Sequence, residues 1–510
     1  MNKTAMLFTA SAIAASILIS PAAEAASITT DGMLASDGQI MIDVWTLAGS
    51  GDFGSANGES SQAAFRNPSS ILAAADGTLV VSDEHNHMLR QVSDETVSTL
   101  AGVLLFMDDK GRPEGALLDG NADHSLFQRP AGLVQADDGT IYVADSGNHA
   151  IRKITTDGLV ETIAGSGLIG RSDGSGSEAA FYEPRDVAVA KDGTIYVADT
   201  LNHLIRKISP SGVVTTLNSA SDRVVQAYPG VAVPAGDYKD GSIAEAKFNE
   251  PSGLAIDAKG NLYVSDSGNQ RIRYIDFSTG KVTTIAGSGD ADSELYVPGS
   301  FADGVADKAQ FNYPVGIAIT GEGGLLIADS LNHSIRYLMD GEVTTLAGSR
   351  TQQFGEDDGP DRSAQFHRPI DVALSEDGTI YVADALNNAI RKLELYQLPL
   401  DQLTEGQVNV VLGRERIAFD VQPEIVNQSV AVPLRAIAER LGYTVEFHTE
   451  EGYVTVTQGE QTITLNTVVG PTHQSVYYHF NRTFVPIRFF SEQIGMDVQW
   501  DGASKTVILR

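Results

Sequence analysis

The sequence predicts a mainly β protein in which six similar sheets are arranged in a ring, followed by a small α+β domain. Two observations carry this prediction. Six copies of a pattern such as TIYVADSGNHAIRKI, at Thr140 to Ile154, recur along the chain, and a different pattern near the end repeats once with an offset of 53 residues. Repetition on these scales indicates equal supersecondary units packed against one another.

The six copies agree column by column. Each has an aspartate at the end of its first half and an arginine in its second half, and a Phe-x-x-Pro segment precedes it. The aspartates are Asp83, Asp145, Asp199, Asp266, Asp329 and Asp384. The arginines are Arg90, Arg152, Arg206, Arg273, Arg336 and Arg391.

One copy with its flanks predicts a four-stranded antiparallel meander. Between Pro130 and Gly165, β-rich runs at residues 132–135, 141–144, 150–154 and 160–164 are separated by Asp, Gly, Asn and Ser turn residues. Leu133 and Ile141 belong to one apolar face, while Val134 and Tyr142 leave the other face apolar too. A sheet that must be covered on both sides fits blades stacked around an axis. We therefore expect a six-bladed β-propeller over residues 42–394.

The ring has a predicted point of closure. A Val-x-Thr-Leu/Ile segment follows each of the first five copies but not the sixth, and the missing one stands before the first copy, at Val44 to Gly49. We expect this N-terminal strand to complete the last blade, which removes the exposed sheet edges of an open array.

The repeats resemble the NHL repeat family, which is named for an Asn-His-Leu signature. Here the signature reads Asn86-His87, Asn148-His149, Asn202-His203 and Asn332-His333. The resemblance implies one propeller blade per repeat. Some propellers of this family bind RNA, but a net charge of −31 without a basic cluster argues against a nucleic-acid partner.

Residues 395–407 are predicted to be a linker, and residues 408–510 a compact α+β domain of two half-repeats. Val432-Pro433-Leu434-Arg435 in the first half matches Val485-Pro486-Ile487-Arg488 in the second, with helical apolar spacing after each. This domain resembles the copper amine oxidase N-terminal, or stalk, domain. We expect no copper and no amine oxidation, because His448, His473 and His479 are scattered rather than at metal-ligand spacing.

The N-terminal residues predict export. Lys3, the apolar run from Ala5 to Ile19 and the Ala23-Glu24-Ala25 site are typical of a secretory signal peptide over residues 1–25, with a linker at residues 26–41. No second apolar run approaches the length of a membrane span, and the chain has no cysteine. We expect a monomer that is secreted or associated with the cell envelope, with the signal peptide removed.

Two aspartates are candidate calcium ligands. Two residues after the Phe-x-x-Pro proline, blades three and six carry Asp186 and Asp371, where the other blades carry Ser or Gly. Carboxylates near a channel mouth could hold Ca²⁺ through oxygen ligands and water. Ordinary variation at the start of a strand is the alternative, and no other cofactor is predicted.

The long inserts between blades predict a ligand-binding face. They run over residues 103–126, 219–247 and 288–310, and loops on a rigid scaffold commonly carry recognition residues. Their candidate residues are Phe106, Tyr228, Tyr238, Tyr296 and Phe301. The alternative is that these rings only fix their own loops.

Two classes of function remain open. We expect a secreted bacterial binding or adhesion protein, whose propeller recognises a protein or carbohydrate ligand at the cell envelope and whose stalk domain is a spacer or attachment module. No catalysis is expected. The alternative is a metal-dependent lyase or lactone hydrolase acting at the mouth of the propeller channel, since the resemblance implies relatives with such activities.

Overall fold

The computed structural model describes residues 28, 32–36, 38–74, 76–228, 230–289, 296–349, 351–459, 461–469, 476–479 and 481–510. The predicted signal peptide at residues 1–25 lies outside this range. Among the described residues, no helix has the length and apolar character that a membrane crossing requires.

Six antiparallel sheets form the blades of a β-propeller, and each has five strands. The innermost strands, which contact one another around the axis, are Pro68–Ala73, Pro130–Gln135, Pro184–Val189, Pro251–Ile256, Pro314–Ile319 and Pro369–Leu374. The second strands are Leu79–Asp83, Ile141–Asp145, Ile195–Asp199, Leu262–Asp266, Leu325–Asp329 and Ile380–Asp384. The third strands are Met88–Val92, Ala150–Ile154, Leu204–Ile208, Arg271–Asp276, Ser334–Met339 and Ala389–Leu395.

The fourth strands are Thr96–Ala101, Leu159–Ala164, Val213–Thr216, Lys281–Ala286, Glu342–Ala347 and, in blade six, Ile42–Ala48. Beyond the four strands that the sequence predicts, each blade has a two-residue strand at its outer edge. These edge strands are Gly58–Glu59, Gly120–Asn121, Gly174–Ser175, Gly241–Ser242, Gly304–Val305 and Gly359–Pro360.

The N-terminal strand closes the ring. Ile42–Ala48 pairs antiparallel with Ala389–Leu395, with Ile42 opposite Leu395 and Thr46 opposite Arg391. On its other side it pairs with Gly359–Pro360. The last blade is therefore assembled from both ends of the propeller sequence, and no main strand of the ring is left open at this point.

Short 3₁₀ turns join the second and third strands and define one face of the propeller, which we call the mouth face. They are Glu84–Asn86, Ser146–Asn148, Thr200–Asn202, Ser267–Asn269, Ser330–Asn332 and Ala385–Asn387. The fourth strands also end on this face, so the loops between blades lie there. Two hairpins, Phe106–Met107 with Pro113–Glu114 and Val224–Tyr228 with Val231–Pro234, and the 3₁₀ turn Ile243–Glu245 belong to those loops.

A buried ion pair explains the aspartate and arginine columns. In blade one, Asp83 Oδ1 accepts the backbone N–H of Arg66 at 2.8 Å, and Oδ2 accepts from Asn86 and from Arg90 at 2.8 and 2.7 Å. The Arg90 guanidinium lies 5.1 Å from the ring centroid of Phe65. The other blades repeat the pair at 2.5 to 2.9 Å. The aspartate and arginine of each repeat therefore fix the loop that precedes the innermost strand onto the same blade.

The stalk domain follows the 3₁₀ turn Leu400–Gln402. Its four-stranded sheet contains Glu415–Arg416, Asn409–Leu412, Thr506–Leu509 and Val498–Asp501, in that order. Its seven-stranded sheet contains Glu424–Val426, Ser429–Pro433, Arg482–Pro486, Val476–His479, Gln461–Val469, Tyr453–Gln458 and Thr444–His448. The helices Leu434–Arg440 and Ile487–Ile494 pack on a common core that includes Leu434, Ile437, Val485 and Phe490.

The stalk domain contacts blade six at the end away from the mouth face. The third strand of that blade starts at the mouth face and ends at Leu395, so the chain leaves the propeller on the opposite side. There Met41, Tyr396 and Ile508 form a small buried cluster, and the Tyr396 hydroxyl donates to the Gly413 carbonyl at 2.6 Å. The mouth face is thus turned away from this contact.

Candidate recognition site at the mouth of the central channel

A ring of side chains links successive blades on the mouth face. The residue after each 3₁₀ turn has a left-handed backbone, with φ between 49° and 58°. Its side chain accepts the backbone N–H of the residue before the innermost strand of the next blade, at 2.5 to 3.2 Å. The ring consists of His87, His149, His203, Gln270, His333 and Asn388.

The histidines of this ring act as hydrogen-bond acceptors. Nδ1 of His87 accepts from Arg129, so the proton of the neutral ring belongs on Nε2, which lies 3.0 Å from the Pro113 carbonyl oxygen. Burial lowers the pKa of His87, His149, His203 and His333, which favours the neutral form that this bond needs. Among the described residues, no group of three or more His, Asp or Glu could hold a metal ion.

The residues that receive these bonds surround the channel mouth, because each directly precedes an innermost strand. They are Asn67, Arg129, Glu183, Glu250, Tyr313 and Arg368, all with positive φ. Arg185, the second residue of the innermost strand Pro184–Val189, lines a narrow space in the channel. Charged and hydrogen-bonding side chains thus converge at one end of the axis.

Glu84 organises one side of the mouth. Its carboxylate is 2% exposed and lies 3.0 Å from Arg129 and 3.5 Å from Arg185, while Asn67 donates to its second oxygen at 2.8 Å. Burial works against the charged form of Arg129, but Glu84 and Glu183 outweigh it and raise the pKa of Arg129. The other blades carry Ser146, Thr200, Ser267, Ser330 or Ala385 at the position of Glu84. This departure from the repeat is a signal in the sequence that our prediction missed.

Glu250 organises the opposite side. Tyr296 and Tyr313 donate their hydroxyls to its two carboxylate oxygens, at 2.5 and 2.8 Å. Burial, followed by the charge and hydrogen bond of Glu250, raises the pKa of Tyr313. Tyr296 is one of the predicted ligand-binding residues, and it lies at the mouth with 45% of its surface exposed.

Two arginines without carboxylate partners lie in neighbouring inter-blade loops, Arg66 before the innermost strand of blade one and Arg368 before that of blade six. Arg66 and Arg368 each have a buried Nε without a hydrogen-bond partner, and neither forms an ion pair within the described part of the chain. Phe53, 66% exposed, lies 5.7 Å from the Arg66 guanidinium. Phe354, 62% exposed, stacks on His367 at 4.4 Å. We call these five residues the Arg66–Arg368 sector; it combines two guanidiniums without ion-pair partners with two exposed phenyl rings, one beside Arg66 and the other on His367, the residue before Arg368.

The other predicted aromatic residues have different surroundings. The Tyr238 ring lies 4.8 Å from the guanidinium of Arg273, and its hydroxyl contacts Thr284 at 2.9 Å. Phe301 lies between Arg336 and Arg362, at 4.6 and 5.6 Å. Both rings thus fix their loops onto the propeller. Phe106 and Tyr228 lie in the two loop hairpins, and their side chains fall outside the described part of the structure.

Asp186 and Asp371 lie deep in the channel, where each bridges to the next blade. Asp186 accepts the backbone N–H of Leu254 at 2.7 Å. Asp371 accepts the N–H of Ile71 at 3.0 Å and the hydroxyl of Ser70 at 2.7 Å. The adjoining space is only about 30 Å³, roughly the volume of one water molecule. The calcium prediction for this pair stays a prediction.

Asp186 and Asp371 also explain why two other blades carry glycine at the same position of the repeat. A Cβ added to Gly132 would lie 2.1 Å from Asp186 Oδ1, and a Cβ added to Gly316 would lie 2.0 Å from Asp371 Oδ1. Each aspartate therefore needs a glycine in the preceding blade. Burial raises the pKa of Asp371 to about 6, and burial together with the charge of Asp371 raises the pKa of Asp186 further.

Comparison with known proteins identifies both parts of the chain. The NHL repeat model matches residues 127–154, 181–208 and 248–273, and the copper amine oxidase N-terminal domain model matches residues 410–509. The chain is 30% identical over 302 residues to Protein SUPPRESSOR OF QUENCHING 1, chloroplastic, of Arabidopsis thaliana, covering 55% of this chain and 26% of that protein. It is 30% identical over 309 residues to NHL repeat-containing protein 2 of Bos taurus, covering 56% of this chain and 41% of that protein.

The chain thus spans less than half the length of these two relatives. A crystal structure of a protein of unknown function from Bacteroides thetaiotaomicron VPI-5482 has a TM-score of 0.50 and 20% sequence identity, covering 70% of this chain and 78% of that one. This likeness concerns the fold alone. The chain therefore contains NHL repeats in a β-propeller, followed by a segment that matches the copper amine oxidase N-terminal domain.

Proposed function

We propose that this chain is an exported bacterial binding protein. Its mouth face recognises a protein or carbohydrate ligand at the cell envelope, and its stalk domain serves as a spacer or attachment module. Recognition involves no catalysis. The observation that carries the proposal is the Arg66–Arg368 sector, which combines two arginines without ion-pair partners and two exposed phenyl rings in neighbouring inter-blade loops.

The chemistry of this sector favours a ligand that carries a carboxylate next to an apolar surface. A guanidinium binds a carboxylate through two parallel N–H donors, and such charge-assisted bonds are stronger than neutral ones. The rings of Phe53 and Phe354 can cover apolar parts of the same ligand. The net charge of the chain is −31, so most of its surface would repel a carboxylate, and a ligand of this kind needs a local cationic site.

The position of the sector also suits recognition. It lies on the mouth face, whereas the stalk domain contacts blade six at the other end of the blade. A protein held through its stalk domain would therefore leave the Arg66–Arg368 sector accessible. The loops that carry Phe53 and Phe354 are supported by the rigid blades beneath them.

The test is co-sedimentation of the full mature chain with bacterial cell-wall sacculi. We expect the wild-type chain to pellet in a saturable way, and Arg66→Gln with Arg368→Gln to weaken pelleting about tenfold. Phe53→Ala with Phe354→Ala should have a similar effect. Lys281→Gln and Trp45→Ala are matched controls, because both side chains are exposed on the outer strands of blades. Equal pelleting of the wild-type chain and both double variants would overturn the assignment of this sector.

A further inference from the structure

The stalk domain contains two grooves that occupy equivalent places in its two half-repeats. The first, which we call the Trp500 groove, has a volume of about 640 Å³. The second, which we call the Phe447 groove, has a volume of about 500 Å³. With the offset of 53 residues, the lining residues correspond as Arg488 to Arg435, Glu492 to Glu439 and Trp500 to Phe447.

Each groove combines both half-repeats. The Trp500 groove lies between the hairpin at Ile425 to Val430 in the first half and the helix Ile487–Ile494 in the second. The Phe447 groove lies between the paired strands Val476–His479 and Arg482–Pro486 of the second half and the helix Leu434–Arg440 of the first. The central strands Ser429–Pro433 and Arg482–Pro486 pair antiparallel. Because of this pairing, the hairpin of each half-repeat lies beside the helix of the other half-repeat. One kind of site is thus presented twice on one small domain.

The side chains of the Trp500 groove are available to a ligand. Trp500 is 43% exposed. Arg488 and Glu492 are both exposed on one helix face, and neither has an ion-pair partner in the part of the chain that the structure describes. The other polar lining residues are the uncharged Asn427, Gln428, Ser429 and Gln499, so the groove has no net charge.

The Phe447 groove has the same balance of charge. Arg482 pairs with Asp420 at 2.7 Å, and the Arg435 guanidinium lies 5.1 Å from the centroid of Phe447. Glu439 supplies the second acidic group. Tyr478, 49% exposed, adds an aromatic ring to the wall. In a chain with a net charge of −31, two neutral grooves with aromatic walls indicate a neutral ligand.

We propose that the two grooves bind sugar residues of one linear, uncharged polysaccharide. A flat aromatic ring packs against the C–H face of a sugar, while guanidinium, amide and carboxylate groups pair with hydroxyls that both donate and accept. Both volumes lie within the range of about 300 to 1,000 Å³ typical of small-ligand sites. A repeating polymer matches a site that is itself repeated, because the second contact then benefits from the first. This inference rests on the proposed attachment role of the stalk domain.

The chain supplies its own reporter for a test. Trp45 and Trp500 are the two tryptophans of the sequence, so Trp45→Phe leaves Trp500 alone. The full mature Trp45→Phe chain is titrated with β-1,4-linked N-acetylglucosamine oligomers and with cello-oligosaccharides, and Trp500 emission is followed. We expect a saturable blue shift with at least one of these neutral series. Unchanged emission with both series at millimolar concentration would overturn the proposal.

Variants separate the grooves from the propeller. Arg488→Ala should weaken the response of Trp500 about tenfold. Tyr478→Ala should weaken the Trp500 response to long oligomers but leave the Trp500 response to disaccharides unchanged, since a disaccharide in the Trp500 groove does not extend into the Phe447 groove. Arg66→Gln with Arg368→Gln should leave the Trp500 response intact even if sacculus binding is lost, which distinguishes failure at the mouth face from failure here. A response to polygalacturonate but to neither neutral series would also overturn the proposal.

Discussion

Arg510 of the stalk domain forms an ion pair with Asp43 in the strand that closes the propeller, with Nη2 2.8 Å from Oδ1. Its other terminal nitrogen, Nη1, lies 2.9 Å from Asp361, next to the edge strand of the same blade. The Arg510 side chain is 2% exposed. Arg414 lies 2.9 Å from the second oxygen of Asp43. The stalk domain therefore holds the closing strand in place.

Arg510→Gln should lower the free energy of unfolding by roughly 2 to 4 kcal/mol, because it leaves two partly buried carboxylates without their shared partner. Urea unfolding followed by circular dichroism measures the loss. Arg440→Gln is the matched control, since Arg440 and Glu415 form an exposed pair in the stalk domain worth less than about 1 kcal/mol. Equal losses in the two variants would contradict the role of Arg510.

His203→Ala should destabilise the propeller by roughly 1 to 3 kcal/mol, because the partly buried N–H of Glu250 loses its acceptor. His203→Gln should cost much less, since Gln270 already performs the same task one blade further on. Thermal unfolding of both variants measures the difference. Equal melting temperatures for the Ala and Gln variants would show that this hydrogen bond between blades contributes no stability.

Asp371 should make the propeller more stable in mild acid. Its pKa is raised from 3.8 to about 6 in the folded state, chiefly by burial, so the folded protein keeps this proton to a higher pH than the unfolded chain does. The free energy of unfolding then falls as the pH rises from about 3.8 to about 6, by an amount on the order of 3 kcal/mol for this group. Asp371→Asn should remove that part of the decline in urea unfolding measured at about pH 4 and at about pH 7. An unchanged decline would be evidence against the raised pKa.

Calcium provides a separate test of Asp186 and Asp371. An ion held between the two carboxylates would relieve their mutual repulsion, so millimolar calcium should raise the melting temperature of the wild-type chain at neutral pH. Asp371→Asn should abolish the increase, and magnesium should replace calcium poorly. A melting temperature that calcium leaves unchanged in the wild-type chain would remove these residues as a calcium site.

Local sequence determines most of this fold, which is why so much of it was predictable. Alternating apolar residues and turn residues occur within each blade. The fourth-strand motif is missing only after the sixth repeat, and its remaining copy lies at Val44 to Gly49, before the first repeat. The edge strands, such as Gly58–Glu59, were not predictable because two residues carry no periodic signal. Their pairing with the fourth strands depends on the packed ring.

The candidate site was only partly predictable. Tyr238 and Phe301 were selected as loop aromatics, but whether a ring faces solvent depends on a neighbour such as Arg273 or Arg336, which is distant in sequence. A stronger signal was departure from the repeat, as at Glu84. Phe53 and Phe354 each directly precede a glycine, so aligning the loops as well as the strands would have shown that the two phenylalanines occupy equivalent positions.

Closure by Ile42–Ala48 also sets an order of events during synthesis. The partner strand, Ala389–Leu395, is synthesised some 350 residues later. The first strand therefore cannot pair until the preceding five blades have been synthesised. Until the sixth blade emerges, unsatisfied backbone groups remain at both ends of the incomplete ring, a state that favours pairing with other chains. A chain truncated before residue 389 would leave the edge of its first strand unpaired, whereas a chain that includes blade six pairs that edge with Ala389–Leu395.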